Sequence, residues 1–333
     1  MEIARLAAMV YPSIDTDEFL EAWRSKYAGS PRGFDSWIAD GDGEVAGHYG
    51  SLITPATLAG KSVIVAQAVD AFTHPDWRRR GIFVGLGKTL LDDLSKKGVH
   101  LTYGIPNKAA MPGHRKLSWV IVAKTPRLIA ILDRERALSA YQGGWLKRLA
   151  LRMSSALHSR ARTGDVVPKV SIARPSLIWP DIGGLWATAK EEFGFALERS
   201  KEYLSWRYPV QSSKNYTIVT KEGDEGAVAV AICGIGVNGM GQLAELFYRR
   251  GHEKDAEMVL RGAILHLKEK GCHTVEALAS THEIERVLKS AGFFRVSRVL
   301  LIAHPNDAEG ANQLRTLLGT ERIMLSFGDS DLA

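Results

Sequence analysis

Asp70, His74 and the run Arg78-Arg79-Arg80-Gly81 fall in one short stretch of this chain. The first two are proton acceptors, and the last four are the residue types that hold anions. The apolar run from Val63 to Phe72 predicts a buried strand, with Asp70 on it among apolar neighbours. A carboxylate so placed is desolvated, which raises its pKa and suits it to act as a base; an Asp that hydrogen-bonds a loop at a strand end is the other use of that position. His74 sits in the following turn before Pro75, as a base, a steering group for a substrate or a solvated turn residue. Beyond the arginines, Leu86, Leu90, Leu91 and Leu94 recur at helical spacing. A strand thus passes through a basic, glycine-containing loop into a helix N-terminus. That geometry points several backbone N–H groups and the positive end of the helix dipole at one spot, which suits a phosphate or pyrophosphate.

Further along, Lys97-Gly98 ends the helix and His100 to Gly104 predicts a short strand. Ile105-Pro106-Asn107 turns into a helix-like stretch carrying His114, and Leu117-Ser118-Trp119 leads into a strand from Val120 to Ala123. The spacing Arg78-x-x-Gly81-x-Phe83 resembles motif A of the GNAT acyltransferases, Arg/Gln-x-x-Gly-x-Gly/Ala, with Phe83 where Gly or Ala is usual. The resemblance implies a mixed-sheet α/β fold and an acyl-coenzyme A site. The coenzyme would lie on Arg78, Arg79, Arg80, Gly81, Ile82 and Phe83, beside Phe72 on the preceding strand. Asn107 resembles the family's coenzyme-contacting Asn. Acyl transfer from a thioester to an amine needs a group to take a proton from the ammonium and sometimes one to return a proton to the thiolate. Asp70 and His74 are the candidates for the first role, with water as the alternative. Tyr103, at the end of its strand, and His114 are the candidates for the second.

At 333 residues the chain is long enough for two domains. Its apolar runs fall short of a membrane span, and Met1-Glu2-Ile3-Ala4-Arg5 lacks the order of a secretory signal. Only Cys233 and Cys272 are present, both in apolar strand-like contexts. Two buried free thiols in a reducing cytoplasm are expected, with neither a disulfide framework nor a metal site. The net charge of +6 suits anionic ligands such as coenzyme A or nucleotide sugars and does not imply DNA.

An internal repeat organises the chain. Leu94-Ser-Lys-Lys-Gly-Val-His100 recurs as Leu267-Lys-Glu-Lys-Gly-Cys-His273, and Leu117-Ser-Trp119 as Ala291-Gly-Phe293. Trp23-Arg-Ser-Lys-Tyr27 has its counterpart in Trp206-Arg-Tyr208. Three matches in one order predict two copies of one α/β unit, the second degenerate. The second copy reads Arg249-Arg-Gly-His-Glu-Lys-Asp255 where the first has its anion loop, so Glu253 and Asp255 stand where a pyrophosphate would sit. Glu245 occupies the strand position nearest to that of Asp70 and is expected to bind the acceptor. The closing Met324-Leu-Ser-Phe-Gly-Asp-Ser-Asp331 places Asp329 and Asp331 as further acceptor-binding groups or as an acidic end. The expected division is 1–133 for the working copy, 134–165 for a basic linker region and 166–333 for the second copy. The linker carries Arg136, Lys147, Arg148, Arg152, Arg160 and Arg162 interleaved with apolar residues. It reads either as a helix packed on the domains or as one that contacts an anionic membrane surface.

The tandem layout and closing segment resemble N-acyltransferases of bacterial surface-polysaccharide synthesis. That resemblance implies a cytoplasmic enzyme that acylates a primary amine, an amino sugar linked to a nucleotide. Two alternatives stand beside it: a Fem-like transferase using aminoacyl-tRNA, and a non-catalytic binding module whose coenzyme site is vestigial.

Overall fold

The computed structural model describes residues 2–11, 15–140, 169–175, 182–210, 212 and 214–330. In chain order the first elements are α1 (Glu2–Val10), α2 (Thr16–Ala28), β1 (Phe34–Gly41), β2 (Glu44–Leu58), β3 (Lys61–Thr73), α3 (Ile82–Lys96), β4 (Leu101–Gly104), α4 (Met111–Lys116), β5 (Val120–Ile131) and α5 (Arg134–Ala140). They are followed by β6 (Ser171–Ala173), α6 (Gly183–Ala189), β7 (Phe195–Leu197), α7 (Lys201–Arg207), β8 (Thr217–Gly223), β9 (Gly226–Ile235), β10 (Met240–Tyr248), α8 (Glu253–Glu269), β11 (Thr274–Leu278), α9 (His282–Ser290), β12 (Phe294–Pro305) and α10 (Ala308–Leu318).

Two compact units emerge. One comprises residues 1–124, 194–198 and 300–321; the other comprises 125–193, 199–299 and 322–333. Strands β5 and β12 therefore each contribute to both.

In the first unit β1, β2 and β3 form an antiparallel meander, and β3 pairs parallel with β4. The two hairpin turns, Asp42-Gly43 and Ala59-Gly60, have positive φ at both residues, the twist that two-residue hairpins require. Strand β7 pairs with Ala56–Leu58 of β2, and the end of β12 pairs antiparallel with β4. Helix α3 crosses from β3 to β4 with Leu86, Leu90 and Leu94 packed on Tyr49, Ala66 and Val99. Burying a leucine of this kind stabilises by about 2 kcal/mol. On the other side Leu6 and Ala7 of α1 pack with Val45 and Phe72. Helix α10 is tied to this unit through its N-cap Asp307, which His100 meets at 2.8 Å, and through Asn306, whose amide donates to the Val99 carbonyl at 2.7 Å.

The second unit repeats the pattern. Strands β8, β9 and β10 are antiparallel neighbours, β10 pairs parallel with β11, and β11 pairs antiparallel with β5. The apolar face of α8 that the sequence predicts, Ala256, Val259, Leu260, Ala263, Ile264 and Leu267, is buried in this unit's core with Cys233 and Cys272. Both thiols are free, and burial pushes Cys233 up to about 12.

Candidate active site

The first unit's sheet opens where the sequence places the anion loop. Parallel pairing of β3 with β4 runs from Val65–Leu101 to Ala68–Gly104 and stops, while β3 continues to Thr73. The last residues of β3 therefore border a gap on the β4 side. Strand β3 also bulges against β2: His48 pairs with Phe72 but Gly50 with Val69, and Asp70 at the bulge has φ of +49°.

The loop beyond β3 is ordered by its own side chains. His74 caps a short 3₁₀ turn by accepting from the Asp76 amide at 3.2 Å. Trp77 lies against Gly41, where any Cβ would come within 2.6 Å of the indole. Arg80 in turn lies over the Trp77 ring at 4.6 Å. Arg78, Arg79 and Arg80 are all exposed. Gly81 caps α3 with φ of +83°, a conformation that side-chain-bearing residues avoid. Gly85 donates its amide to Gly81, which leaves the amides of Ile82, Phe83 and Val84 without partners inside the helix. A Cβ at Gly81 or Gly85 would meet nothing within 4 Å, so the space over this helix end is open. Three exposed guanidinium groups, a helix N-terminus and open space lie together here, a combination that suits an anion.

Phe83, the departure from the motif, faces inward. Its ring packs on Tyr49 and His114, at 5.2 and 5.3 Å between centroids, and against Gly113 of α4. It joins α3 to α4 and does not cover the helix end.

Asp70 is paired, as in the hydrogen-bonded reading of its position, although its partners come from a helix and not from a loop. Its Oδ2 lies 2.6 Å from Lys26 Nζ and accepts from the Tyr27 hydroxyl at 2.9 Å, both from α2, with 10% of the side chain exposed. Beneath it, His48 Nδ1 donates to the Asp70 carbonyl at 2.7 Å, which makes Nε2 the acceptor from Ser36 Oγ at 2.8 Å. Burial lowers the His48 pKa, so the ring is neutral at pH 7 and serves as a strut for the bulge.

Residues 1–122 match the acetyltransferase (GNAT) domain. Among solved structures, a probable N-acyltransferase of unknown function from Enterococcus faecalis V583 superposes with a TM-score of 0.62 at 16% identity, over 93% of this chain and 70% of that one. A tandem GNAT protein from the clavulanic acid biosynthesis pathway gives 0.59 at 13%, over 92% and 94%. The Saccharomyces cerevisiae N-myristoyltransferase with bound myristoyl-CoA gives 0.56 at 11%, over 80% and 68%. No curated protein matches by sequence. The chain is an acyltransferase.

Among the other residues singled out, the enzyme brings only some to the opening. Asn107 follows β4, is exposed, and accepts from the Ala110 amide at 2.8 Å, so it shapes the entry to α4. Phe72 turns its ring inward, stacked on His48 at 5.3 Å, leaving only its backbone to border the gap. Tyr103 is buried at 1% exposure with its ring edge-on to Phe195. His114 is buried among Phe83, Tyr49 and Trp119, and burial lowers its pKa to about 4. At pH 7 the ring is therefore neutral. Glu245 and Asp329 come together in the second unit, but in its interior and joined by Arg199. They are expected to meet an acceptor; instead both side chains are at most 2% exposed and their oxygens face an internal cation. Asp331 and residues 141–162 lie outside the described residues. Lys26, Tyr27, Tyr49 and Arg199 escape sequence reasoning, although Lys26 and Tyr27 fall inside the repeated Trp-Arg…Tyr segment.

Proposed function

We propose that the enzyme transfers an acyl group from acyl-coenzyme A to a primary amine, and that the amine belongs to an amino sugar carried on a nucleotide. The observation that carries the donor half is the open N-terminus of α3, with Gly81 at φ +83° and three exposed arginines beside it. The pyrophosphate fits the amides of Ile82, Phe83 and Val84 and the guanidinium groups of Arg78 to Arg80. From there the pantetheine arm follows the gap between β3 and the end of β4, as a strand-like chain using main-chain partners on Val69 to Thr73.

The reaction follows from that placement. The amine nitrogen attacks the thioester carbonyl carbon, a C–N bond forms, and the C–S bond breaks to release coenzyme A as its thiol. A backbone amide of β3 past the bulge stabilises the oxyanion. Asp70 holds the incoming ammonium and takes its proton, directly or through water. Lys26 and Tyr27 fix the carboxylate's orientation. The released proton balances the thiolate, so no side chain need act as a buried acid.

The acceptor reading is supported by the resemblance of the tandem layout and by a carboxylate placed to meet a cation. The competing aminoacyl-tRNA reading has its strongest support in residues 134–162, of which only 134–140 are described. Nucleotide-linked amino sugars and small amines, assayed with acetyl-coenzyme A for thiol release and separately with aminoacyl-tRNA as donor for release of uncharged tRNA, separate the two. Turnover confined to non-sugar amines, or requiring tRNA, overturns the sugar assignment.

A further inference from the structure

The second unit contains the same opening as the first. Parallel pairing of β10 with β11 runs only from Met240–Thr274 to Gln242–Glu276, while β10 continues to Tyr248. The register of β10 against β9 slips between Leu243 and Glu245, so Glu245 sits at a bulge as Asp70 does. Gly251, with φ of +83°, stands one residue before His252, the N-cap of α8, close to the place that Gly81 takes as the N-cap of α3. Yet this opening is filled by the chain itself. Leu325 donates its amide to Ser280 Oγ at 3.1 Å, and the same hydroxyl donates to the Leu325 carbonyl at 2.8 Å, just past the end of β11. Gly328 lies on Glu245 and on the Tyr208 hydroxyl, so closely that a Cβ there would collide with both. Every residue from Ile323 to Ser330 is buried.

Charge holds this segment in place. Arg199, fully buried, lies 2.7 Å from Asp329 and 3.3 Å from Glu245, and also donates to Ser326 Oγ at 3.1 Å. Tyr208 donates to Glu245 at 2.8 Å, and Tyr203 to the Gly328 carbonyl at 3.0 Å. Asp329 accepts from the Ser326 amide at 2.8 Å, which closes the segment into a turn. Burial opposes the Arg199 charge, but Asp329 and then Glu245 outweigh it and hold the pKa well above the usual value. Removing one partner from such a cluster leaves another charge buried without compensation.

What remains at the mouth of the opening is a cavity of about 220 Å³ whose walls include Tyr248, Arg250, Glu253, Glu283 and Arg322. Glu253 sits in the first turn of α8, where α3 of the first unit presents free amides and arginines, and Glu283 sits in the first turn of α9. Arg250 and Arg322 in the same wall are already paired with Glu192 and Glu283, so a pyrophosphate arriving there would meet carboxylates beside neutralised arginines.

We infer that residues 323–330 are an internal ligand of the second unit. They occupy the cleft that corresponds to the first unit's donor and acceptor gap, with Asp329 clasped by Arg199, so each chain takes up a single coenzyme. The degenerate copy is closed by residues 323–330 as well as by the loss of its anion loop.

The test uses the full-length protein. Hydrogen–deuterium exchange followed on a peptide covering 323–330 is expected to show strong protection in the wild type. Asp329→Asn, and independently Gly328→Ala, are expected to speed exchange of that peptide at least tenfold while leaving peptides covering 81–104 unchanged. Two variants acting by different means, one on charge and one by collision, keep the outcome readable should either destabilise the whole second unit. Wild-type exchange in 323–330 as fast as in an unstructured peptide overturns the inference, as does unchanged exchange in both variants. The coenzyme count rests on the function proposed above. Native mass spectrometry with acetyl-coenzyme A is expected to give one per chain, and two per chain contradicts a closed second cleft. No binding at all, with 323–330 still protected, contradicts the coenzyme site of the first unit and leaves the internal ligand standing.

Discussion

The Tyr27 hydroxyl donates to the Asp70 carboxylate at 2.9 Å, joining α2 to the bulge of β3. The second unit repeats the arrangement, with Tyr208 donating to Glu245 at 2.8 Å. In each a cation completes the set, Lys26 in the first and Arg199 in the second. They differ in exposure: the Asp70 side chain keeps 10% of its surface, whereas that of Glu245 keeps none. The first carboxylate therefore keeps some contact with solvent, whereas Gly328 covers the second.

Asp70→Asn keeps the size of the side chain but removes its charge and its ability to take a proton. We expect kcat to fall roughly 10² to 10³-fold, the contribution of a positioned base, with the Kd for acetyl-coenzyme A unchanged. Steady-state rates set beside calorimetric titration of the coenzyme check this. Equal losses in both would mean that Asp70 only holds the bulge in shape.

Arg80 lies over Trp77 and borders the helix end, so Arg80→Ala should weaken coenzyme binding by about 1–2 kcal/mol, or roughly five- to thirtyfold, through the loss of one charge-assisted contact. The melting temperature should hardly move, because Arg80 is exposed. Thermal unfolding and coenzyme titration, run together, separate binding from folding.

Phe83→Ala distinguishes an inward anchor from a block on the coenzyme. Half-buried against Tyr49, Gly113 and His114, the ring should cost about 2–3 kcal/mol of stability when removed. Coenzyme affinity should stay the same or fall. A rise in affinity would show that Phe83 obstructs the site.

Acid sensitivity follows from His114. Its folded pKa, lowered to about 4 by burial, lies below the unfolded value of 6.5. The unfolded chain therefore binds the extra proton between those values, and stability is lost as pH falls from about 6.5 to about 4. The contribution is about 3 kcal/mol. Urea midpoints measured across this range should decline for the wild type and decline less for His114→Leu.

Much of the first unit was legible in the sequence because its signals are local. Alternating and helical periodicities mark β3 and α3, Asp42-Gly43 marks a hairpin, and Arg78 to Gly81 marks the helix end. The repeat was legible too, through matched segments such as Trp23 to Tyr27 and Trp206 to Tyr208. What local pattern cannot carry is long-range pairing. Nothing near Asp70 announces Lys26, and nothing near Asp329 announces Arg199, because each pair is made by chain segments far apart in sequence. The sharing of β5 and β12 between the units is hidden for the same reason, since a strand's periodicity does not name its neighbour. Phe83 is an instructive case: a residue that breaks the motif's pattern without breaking its geometry, because Gly113 makes room for the ring.

The most direct test of the account is isothermal titration of the purified protein with acetyl-coenzyme A, comparing wild type with Gly81→Val. A β-branched residue strains the left-handed conformation at Gly81, at a cost of about 1–2 kcal/mol, and projects into the space over the helix end. The wild type is expected to bind in the micromolar range and the variant at least tenfold more weakly, with both chains folded. Absence of binding in the wild type, or equal binding in a folded variant, would contradict it.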